Sequence, residues 1–477
     1  MKKLTDILKN TPVREVCGDT AAAIGGLVYD SRAVKPGDCF FAVPGTQSDG
    51  HDYIPMAVEK GAAAIVCERM PADAAEGVAY VLVGDSAGAM ADMAAAFYDY
   101  PSRELKLVGI TGTNGKTTTA TLLYDLVRAM GYKAGLISTV VYKIDGREVE
   151  ATHTTPDSIR LNAMMREMAD AGCAYCFMEC SSHAIVQERT RGLDFAGGIF
   201  SNITHDHLDY HKTFAEYIRA KKLFFDGLPK GAFALTNADD RNGRVMVQNT
   251  AAAVSAYSLR AMADFRCKIV EMHLDGMLLR IDGQELWVGL LGRFNAYNLL
   301  AVYGAAALLG LNRGEVLRVL SMLHAVSGRF EKIRAANGTT AIVDYAHTPD
   351  ALENVIQTIE EIRTPGQQLI VVCGCGGDRD RTKRPEMAAI AVKYATTAVF
   401  TSDNPRHESP EAILDDMVAG LEPGARYLRI ADRAEAIRTA VMLSRPGDII
   451  LVAGKGHETY QIVGDVKHPF DDREEIN

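Results

Sequence analysis

Apolar positions along this chain fall into short unbroken runs, and between the runs they recur roughly every three to four residues, the spacing of a buried helix face. Near the start, Asp38-Cys39-Phe40-Phe41-Ala42-Val43 reads as a strand. The Ala-rich stretch Ala87 to Tyr100 reads as a helix that Pro101 stops. Leu105-Lys106-Leu107-Val108-Gly109-Ile110 has a buried-strand pattern, and a Gly-rich loop and a helix from Thr118 to Met130, closed by Gly131, follow it directly. Strand, loop and helix in that order mark a mononucleotide-binding α/β unit. Farther on, Ala341 to Tyr345, Leu369 to Cys373 and Ile449 to Ala453 are strands that end in polar or Gly-rich turns, with helical stretches between them. That alternation predicts a second, mostly parallel sheet. Ligands gather at the carboxyl ends of such strands. The turns at Asp344, Gly374 to Asp380, Asp403 to Arg406 and Gly454 to Glu458 are therefore expected along one rim.

These textures divide the chain into residues 1–102, 103–328 and 329–477. Its 477 residues suit three α/β domains, at about 150 residues each. No sequence repeat or low-complexity tract interrupts them. The composition is ordinary for globular domains, 48% hydrophobic and 23% charged. A net charge of -10 speaks against non-specific nucleic-acid or anionic-membrane binding, both driven by clustered Lys and Arg. A phosphorylated substrate remains compatible, since a basic pocket can sit in an acidic protein. The longest near-apolar run, Leu299 to Leu311, has 13 residues, and a membrane span needs roughly 20. Nine cysteines without disulfide-like spacing, and no apolar core after Lys2 and Lys3, predict a soluble protein of a reducing cytoplasm. Cys173, Cys176 and Cys180 mimic metal-ligand spacing, but they border a short apolar run and are expected as core residues, with Cys173 and Cys176 on opposite strand faces.

The loop Thr111-Gly112-Thr113-Asn114-Gly115-Lys116-Thr117-Thr118-Thr119 carries the clearest chemistry. Its glycines let backbone N–H groups turn toward phosphate oxygens, and the helix that follows adds the partial positive charge of its N-terminus. Lys116 is placed to neutralise the β- and γ-phosphates of ATP, and the Thr117 hydroxyl to hold Mg²⁺. Ile110 stands where the general phosphate loop has its first glycine.

This form of the loop resembles that of the Mur ligase and folylpolyglutamate synthase superfamily. Glu179-Cys180-Ser181-Ser182-His183, Asn202 to His211, Gly292-Arg293-Phe294-Asn295 and Asp344-Tyr345-Ala346-His347-Thr348-Pro349 resemble Mur ligase motifs in family order. Gly376-Gly377-Asp378-Arg379 and Asp403-Asn404-Pro405-Arg406 resemble the branch of that family that adds the third amino acid of a cell-wall precursor. The resemblance covers essentially the whole chain. It implies a uridine-nucleotide domain, a central phosphate-loop domain and a C-terminal Rossmann-like domain. It also implies a two-step amide synthesis in peptidoglycan assembly. A carboxylate of UDP-N-acetylmuramoyl-L-alanyl-D-glutamate takes the γ-phosphoryl group of ATP, and the amine of meso-2,6-diaminopimelate displaces phosphate from the acyl phosphate.

Site residues follow from the same resemblance. Gly112, Thr113, Asn114, Gly115, Lys116, Thr117, Thr118, Asn295, Arg329 and Asp344 would bind ATP, with Asn295 alternatively a helix N-cap. Thr117, Glu179, His207 and a carbamylated Lys221 would hold Mg²⁺, whose preference is for hard oxygen ligands. The cluster His205, His207 and His211 otherwise suggests zinc, but no thiol completes a tetrahedral set. Ser31, Thr46 and Gln47 would hold the UDP part, and Thr154, Thr155, Ser181, Gln187 and Arg189 the muramoyl-dipeptide part; His153 stands where the family often has Asn. Arg379, Asp403, Asn404, Pro405, Arg406, Gly454 and Glu458 would form the diaminopimelate pocket, with Arg406 gripping the distal carboxylate. A monomer is expected. The competing readings are a folylpolyglutamate synthase, which lacks the first 100 or so residues and the Asp-Asn-Pro-Arg motif, and a regulatory nucleotide switch.

Overall fold

The structure, a computed structural model, describes residues 1–45, 48–151, 153–204, 208–334 and 338–476, without the side chains of 208 and 209. It is α/β, with three main sheets that follow one another along the chain. The first has Val13–Cys17, Ala79–Val83, Ala64–Cys67, Asp38–Phe41 and Gly26–Val28 in spatial order, parallel except for its first strand.

The central sheet is built on Lys106–Thr111, which lies between Tyr175–Glu179 and Gly197–Phe200. Ala134–Ile137, Phe233–Asn237, Ala253–Ser258 and the start of Phe265–His273 extend the parallel part. Helices cover both faces of a parallel sheet, which is why these strands read as continuous apolar runs. Val108, Ile110, Leu136, Phe177, Ile199 and Leu235 are all fully buried. Antiparallel hairpins finish both edges, Val141–Ile144 with Arg147–Glu150 on one side and Gly276–Ile281 with Gln284–Val288 on the other.

In the third sheet Thr340–Asp344, Ile449–Ala453, Leu369–Cys373, Thr397–Phe400 and Tyr427–Arg429 run parallel, with Glu331–Arg334 antiparallel on the edge. In this register Asp344 pairs with Ala453 and Cys373 with Phe400. The four turns expected on one rim therefore start side by side.

Two helix boundaries differ from the sequence reading. The Ala-rich helix runs Ser86–Phe97, capped by the Asp85 side chain on Gly88 N, and ends three residues early. Asp99 and Tyr100 take left-handed φ values of 61° and 51° ahead of Pro101, which turns the chain out of the helix before the proline is reached. The loop helix runs Lys116–Ala129 and so includes Lys116 and Thr117 in its first turn. Cys173 precedes the strand that starts at Tyr175, so strand alternation does not reach it. Cys173, Cys176 and Cys180 pack into one apolar cluster with Met168 and Phe224. Among the described residues no helix is long and apolar enough to cross a membrane.

The third sheet is fastened behind its rim by a buried ion pair. Arg433 Nε and Nη2 each donate to Asp472 at 2.7 Å, and neither side chain is exposed. The guanidinium also donates to the carbonyls of Ser402 and Ala453, at the ends of two rim strands. Removing one partner strands a buried charge, so Asp472→Asn is expected to lower the unfolding free energy by about 3–5 kcal/mol in urea titrations. A loss below about 1 kcal/mol, the scale of an exposed pair, would contradict it.

Candidate active site

The phosphate loop joins the carboxyl end of Lys106–Thr111 to the helix Lys116–Ala129. Gly112 has φ 151°, and a Cβ there would sit 1.9 Å from Ser201 Oγ, so only glycine fits. The stretch Ser201 to Thr204 straps the loop. Asn202 accepts from Thr113 N through its carbonyl at 2.8 Å and from Asn114 N through its side chain at 2.9 Å, and Thr204 N donates to Thr113 Oγ1. Thr117 and Thr118 are buried in the first helical turn.

Two lysines converge on this loop. Lys116 Nζ donates to the carbonyls of Gly112 and Thr113 at 2.9 and 2.8 Å. Lys221, from the helix Phe214–Asp226, donates to the same Gly112 carbonyl at 2.7 Å and is 1% exposed. It is no solvated surface lysine. His207 lies outside the described residues, as do Thr46 and Gln47. Asn295 does not cap its helix, which starts after Gly292. Its Nδ2 donates to Leu291 O, and its Oδ1 accepts from Asn298, whose own Oδ1 accepts from Thr119.

Glu179 ends the strand beside the loop strand, opposite Ile110, and is almost fully buried. Its oxygens accept from Thr139 N at 2.7 Å and Thr139 Oγ1 at 3.2 Å, both neutral donors. A buried carboxylate with neutral donors is a fitting ligand for a hard divalent cation, and the Thr117 hydroxyl is of the same donor class. Behind it, Thr155 Oγ1 donates to the Glu179 carbonyl and accepts from Ser181 N. With its own proton on Glu179, Thr139 Oγ1 accepts from the Thr154 hydroxyl at 3.1 Å, and Arg189 donates to Thr155 O at 2.7 Å and to Gln187 Oε1 at 2.6 Å. The structure thus brings Thr154, Thr155, Ser181, Gln187 and Arg189 into one network with Glu179. Ser31 is buried in the short turn Ser31–Ala33 of the first unit, and no described hydrogen bond joins it to that network. Its neighbour Tyr29 is close by charge: burial raises its phenol, Asp157 adds to the rise and Arg189 offsets part of it.

Two side chains of the third unit meet the loop. Arg329 Nη2 donates to Thr117 Oγ1 at 3.2 Å, with its guanidinium 4.5 Å over the Tyr345 ring. Asp350 Oδ2 accepts from Asn114 Nδ2 at 2.9 Å. Asp344 sits at its strand end, where its oxygens accept from Phe330 N and Ala346 N and so fix the chain that carries Arg329. Burial raises the Asp344 carboxyl, and the Arg329 charge opposes that rise.

On the third unit's rim, Asp403 and Asn404 are buried, and a Cβ on Gly454 would lie 2.5 Å from Asp403 Oδ2. Asn404 Nδ2 donates to Glu458 Oε2 at 2.8 Å. Arg406 follows Pro405 with φ 51° and donates from Nη1 to Gly377 O at 2.9 Å. Burial lowers its guanidinium from the ordinary value, and the charge of Arg379 lowers it further, so two cations share this corner. Glu408 pairs instead with Arg384 at 2.8 Å and Arg381 at 3.0 Å, so no Arg406–Glu408 surface pair forms. An adjoining cavity of about 490 Å³ is lined by Asp378, Arg379, Asp380, Arg381 and Glu408.

Sequence reasoning missed Thr139 and Asp350, and it quoted Tyr345 and Lys455 only as members of a motif and a turn, with no role of their own. Asp350 left a local signal of its own, an acidic residue in the first turn of Pro349–Ile362.

Comparison with known proteins gives the geometry a lineage. Residues 110–306 match the Mur ligase middle domain, 328–456 the glutamate ligase domain of Mur ligases, and 23–98 the catalytic domain of the Mur ligase family. A UDP-N-acetylmuramoyl-L-alanyl-D-glutamate–2,6-diaminopimelate ligase of Phocaeicola vulgatus is 56% identical over 99% of this chain and 98% of its own. One of Bacteroides fragilis is 55% identical with the same coverage. A solved structure carrying that enzyme name, 31% identical, superposes with a TM-score of 0.71 over 100% of this chain and 98% of the other. The chain belongs to the Mur ligase family.

Proposed function

We propose that this chain is the ATP-dependent ligase that joins meso-2,6-diaminopimelate to UDP-N-acetylmuramoyl-L-alanyl-D-glutamate in peptidoglycan precursor synthesis. The observation that carries the reading is a pairing of two sites. A phosphate loop with two lysines on one carbonyl is touched by Arg329 and Asp350 of the third unit, whose rim brings Arg379 and Glu458 within charge range of Arg406. Relatives of more than half identity over nearly the full length carry that enzyme's name. The match at 23–98 speaks against a folylpolyglutamate synthase, and the acceptor pocket against a regulatory switch.

Residues 1–102 hold the uridine nucleotide through Ser31, Thr46 and Gln47, residues 103–328 hold ATP, and residues 329–477 hold the acceptor. The phosphate loop, Lys116, Asn295 and Arg329 orient ATP, with Asp344 keeping Arg329 in place. Thr154, Thr155, Ser181, Gln187 and Arg189 present the dipeptide carboxylate to the γ-phosphate. Thr117, Glu179, His207 and a carbamylated Lys221 would hold Mg²⁺, which supplies positive charge where the carboxylate meets the polyphosphate. Lys116 and Arg329 add fixed charge where negative charge builds up. Arg379 and Arg406 hold the acceptor's distal carboxylate and Glu458 its distal ammonium, so the other amine is left to attack the acyl phosphate. All of these groups lie on one chain, which suits a monomer of the cytoplasm.

Incubation with ATP, Mg²⁺, the nucleotide-dipeptide and a panel of amino acids should give a single product heavier by diaminopimelate less water. ADP should appear only when both co-substrates are present, and Lys116→Ala should cut turnover by at least about 100-fold. Brisk ATP hydrolysis without either co-substrate would overturn the ligase reading.

Lys221 is expected to be carbamylated, its amine adding CO2 and releasing a proton. An ammonium beside Mg²⁺ is repelled, whereas a carbamate offers anionic oxygens. Lys221→Ala should be inactive and regain activity with short carboxylic acids; an unmodified Lys221 in a Mg-ATP complex would refute the modification.

Lysine lacks the distal carboxylate, and binding it would leave Arg406 desolvated and unpaired. That costs roughly 2–5 kcal/mol, so kcat/KM should favour diaminopimelate by about 30- to 4,000-fold. Arg406→Ala should erase most of that preference. Equal use of lysine by the wild type, or an undiminished preference in the variant, would refute the assignment.

A further inference from the structure

The two oxygens of Glu458 are not equivalent. Oε2 accepts from Asn404 Nδ2 at 2.8 Å and from Lys455 Nζ at 3.1 Å, while no described residue bonds Oε1. The Asn404 amide is fixed in turn. Its Oδ1 accepts from Lys455 Nζ and from Ile462 N, both at 3.0 Å, so its NH2 end must face Glu458. Lys455 has none of its side chain exposed, and its ammonium lies 5.7 Å from the Tyr460 ring centre. One buried ammonium therefore sets both the rotamer of the carboxylate and the flip of the amide beside it.

We propose that Lys455 is a positioning residue for the acceptor: with Asn404 it holds Glu458 by Oε2, so that Oε1 is presented, ionised, to the acceptor's distal ammonium. This rests on the acceptor reading given above. Without Lys455 the carboxylate is free to turn, the amide is free to flip, and a low-polarity site favours the neutral acid, which cannot pair with an ammonium. Burial already raises the Glu458 carboxyl, the negative charge of Asp403 adds to it, and Lys455 and Asn404 pull it down. Arg406, Tyr345 and Tyr460 also feel the Glu458 charge. Glu458 must be ionised to hold the ammonium, so kcat/KM for the acceptor falls as pH drops through its pKa. Removing Lys455 raises that pKa and moves the acid limb to higher pH.

The test is the pH profile of kcat/KM for diaminopimelate in the full-length wild type, Lys455→Gln and Lys455→Arg, with KM for ATP and for the nucleotide-dipeptide measured alongside. Glutamine keeps a hydrogen-bond donor and removes the charge. It should raise KM for diaminopimelate by about 10- to 100-fold, the worth of one charge-assisted hydrogen bond, and displace the acid limb upward. The other two KM values should stay in place. The wild-type preference over 2-aminopimelate, which lacks the distal amine, should shrink in parallel. An acid limb that does not move, or three KM values that rise together, overturns the proposal. Lys455→Arg keeps the charge and should keep the limb where the wild type has it. A displaced limb in that variant overturns the charge account even if the glutamine variant does not fold. A wild type that ignores diaminopimelate fails the functional reading itself, whereas a wild type that uses it beside an unmoved glutamine variant fails Lys455 alone.

Discussion

Two ammonium groups, those of Lys116 and Lys221, are aimed at one backbone oxygen, the carbonyl of Gly112. Like charges held this close repel, and more strongly away from bulk water. The arrangement stands because three elements fix it: the helix Lys116–Ala129, the helix Phe214–Asp226, and the strap from Ser201 to Thr204 that the cramped Gly112 admits. In the proposed reaction Lys116 keeps its charge, so nothing there has to reorganise as negative charge builds up between a carboxylate and a polyphosphate, whereas carbamylation of Lys221 would relieve the repulsion and turn the second group into an anionic ligand for Mg²⁺. The parallel order of the central sheet serves this point, since it sets Glu179 and Ser201 on either side of the loop.

The third unit reaches that centre by two contacts of different kinds. Arg329 brings a cation to the Thr117 hydroxyl, and Asp350 brings a carboxylate to the Asn114 amide. Asp344 supports the first by accepting from Phe330 N, next to Arg329, and from Ala346 N, next to Tyr345, whose ring lies under the guanidinium. Loop and acceptor rim are thus coupled through a few side chains whose geometry the third sheet's register decides.

The phosphate loop was legible because its chemistry is contiguous: a strand, two glycines, a lysine and a helix start lie within a dozen or so residues. The rim was legible for a related reason, since each turn follows its own apolar run and parallel register aligns their ends. What stayed hidden depends on residues far apart in sequence. Asn114 and Asp350 are 236 positions apart, and Asn404 and Lys455 are 51 apart. No local pattern encodes either pair. Asn295 looked like a possible cap because its polarity suits one, but Gly292 takes that place and leaves Asn295 to bond inward. The edge hairpins of the central sheet escaped notice because their burial only loosely alternates, as in Phe265–His273.

Arg406 occupies a left-handed backbone conformation with φ 51°. Glycine or asparagine adopts that conformation more readily, and an ordinary side chain there is strained by roughly 1–2 kcal/mol. The most comfortable residue for the chain at this turn is therefore not the one that can grip a carboxylate. With Arg406 in its proposed role, selection for thermal robustness alone would drift this position toward glycine and yield a sturdier protein that has lost its grip on the acceptor. On that proposal the turn gives up folding stability for molecular discrimination, and a stabilising substitution there would be bought with selectivity.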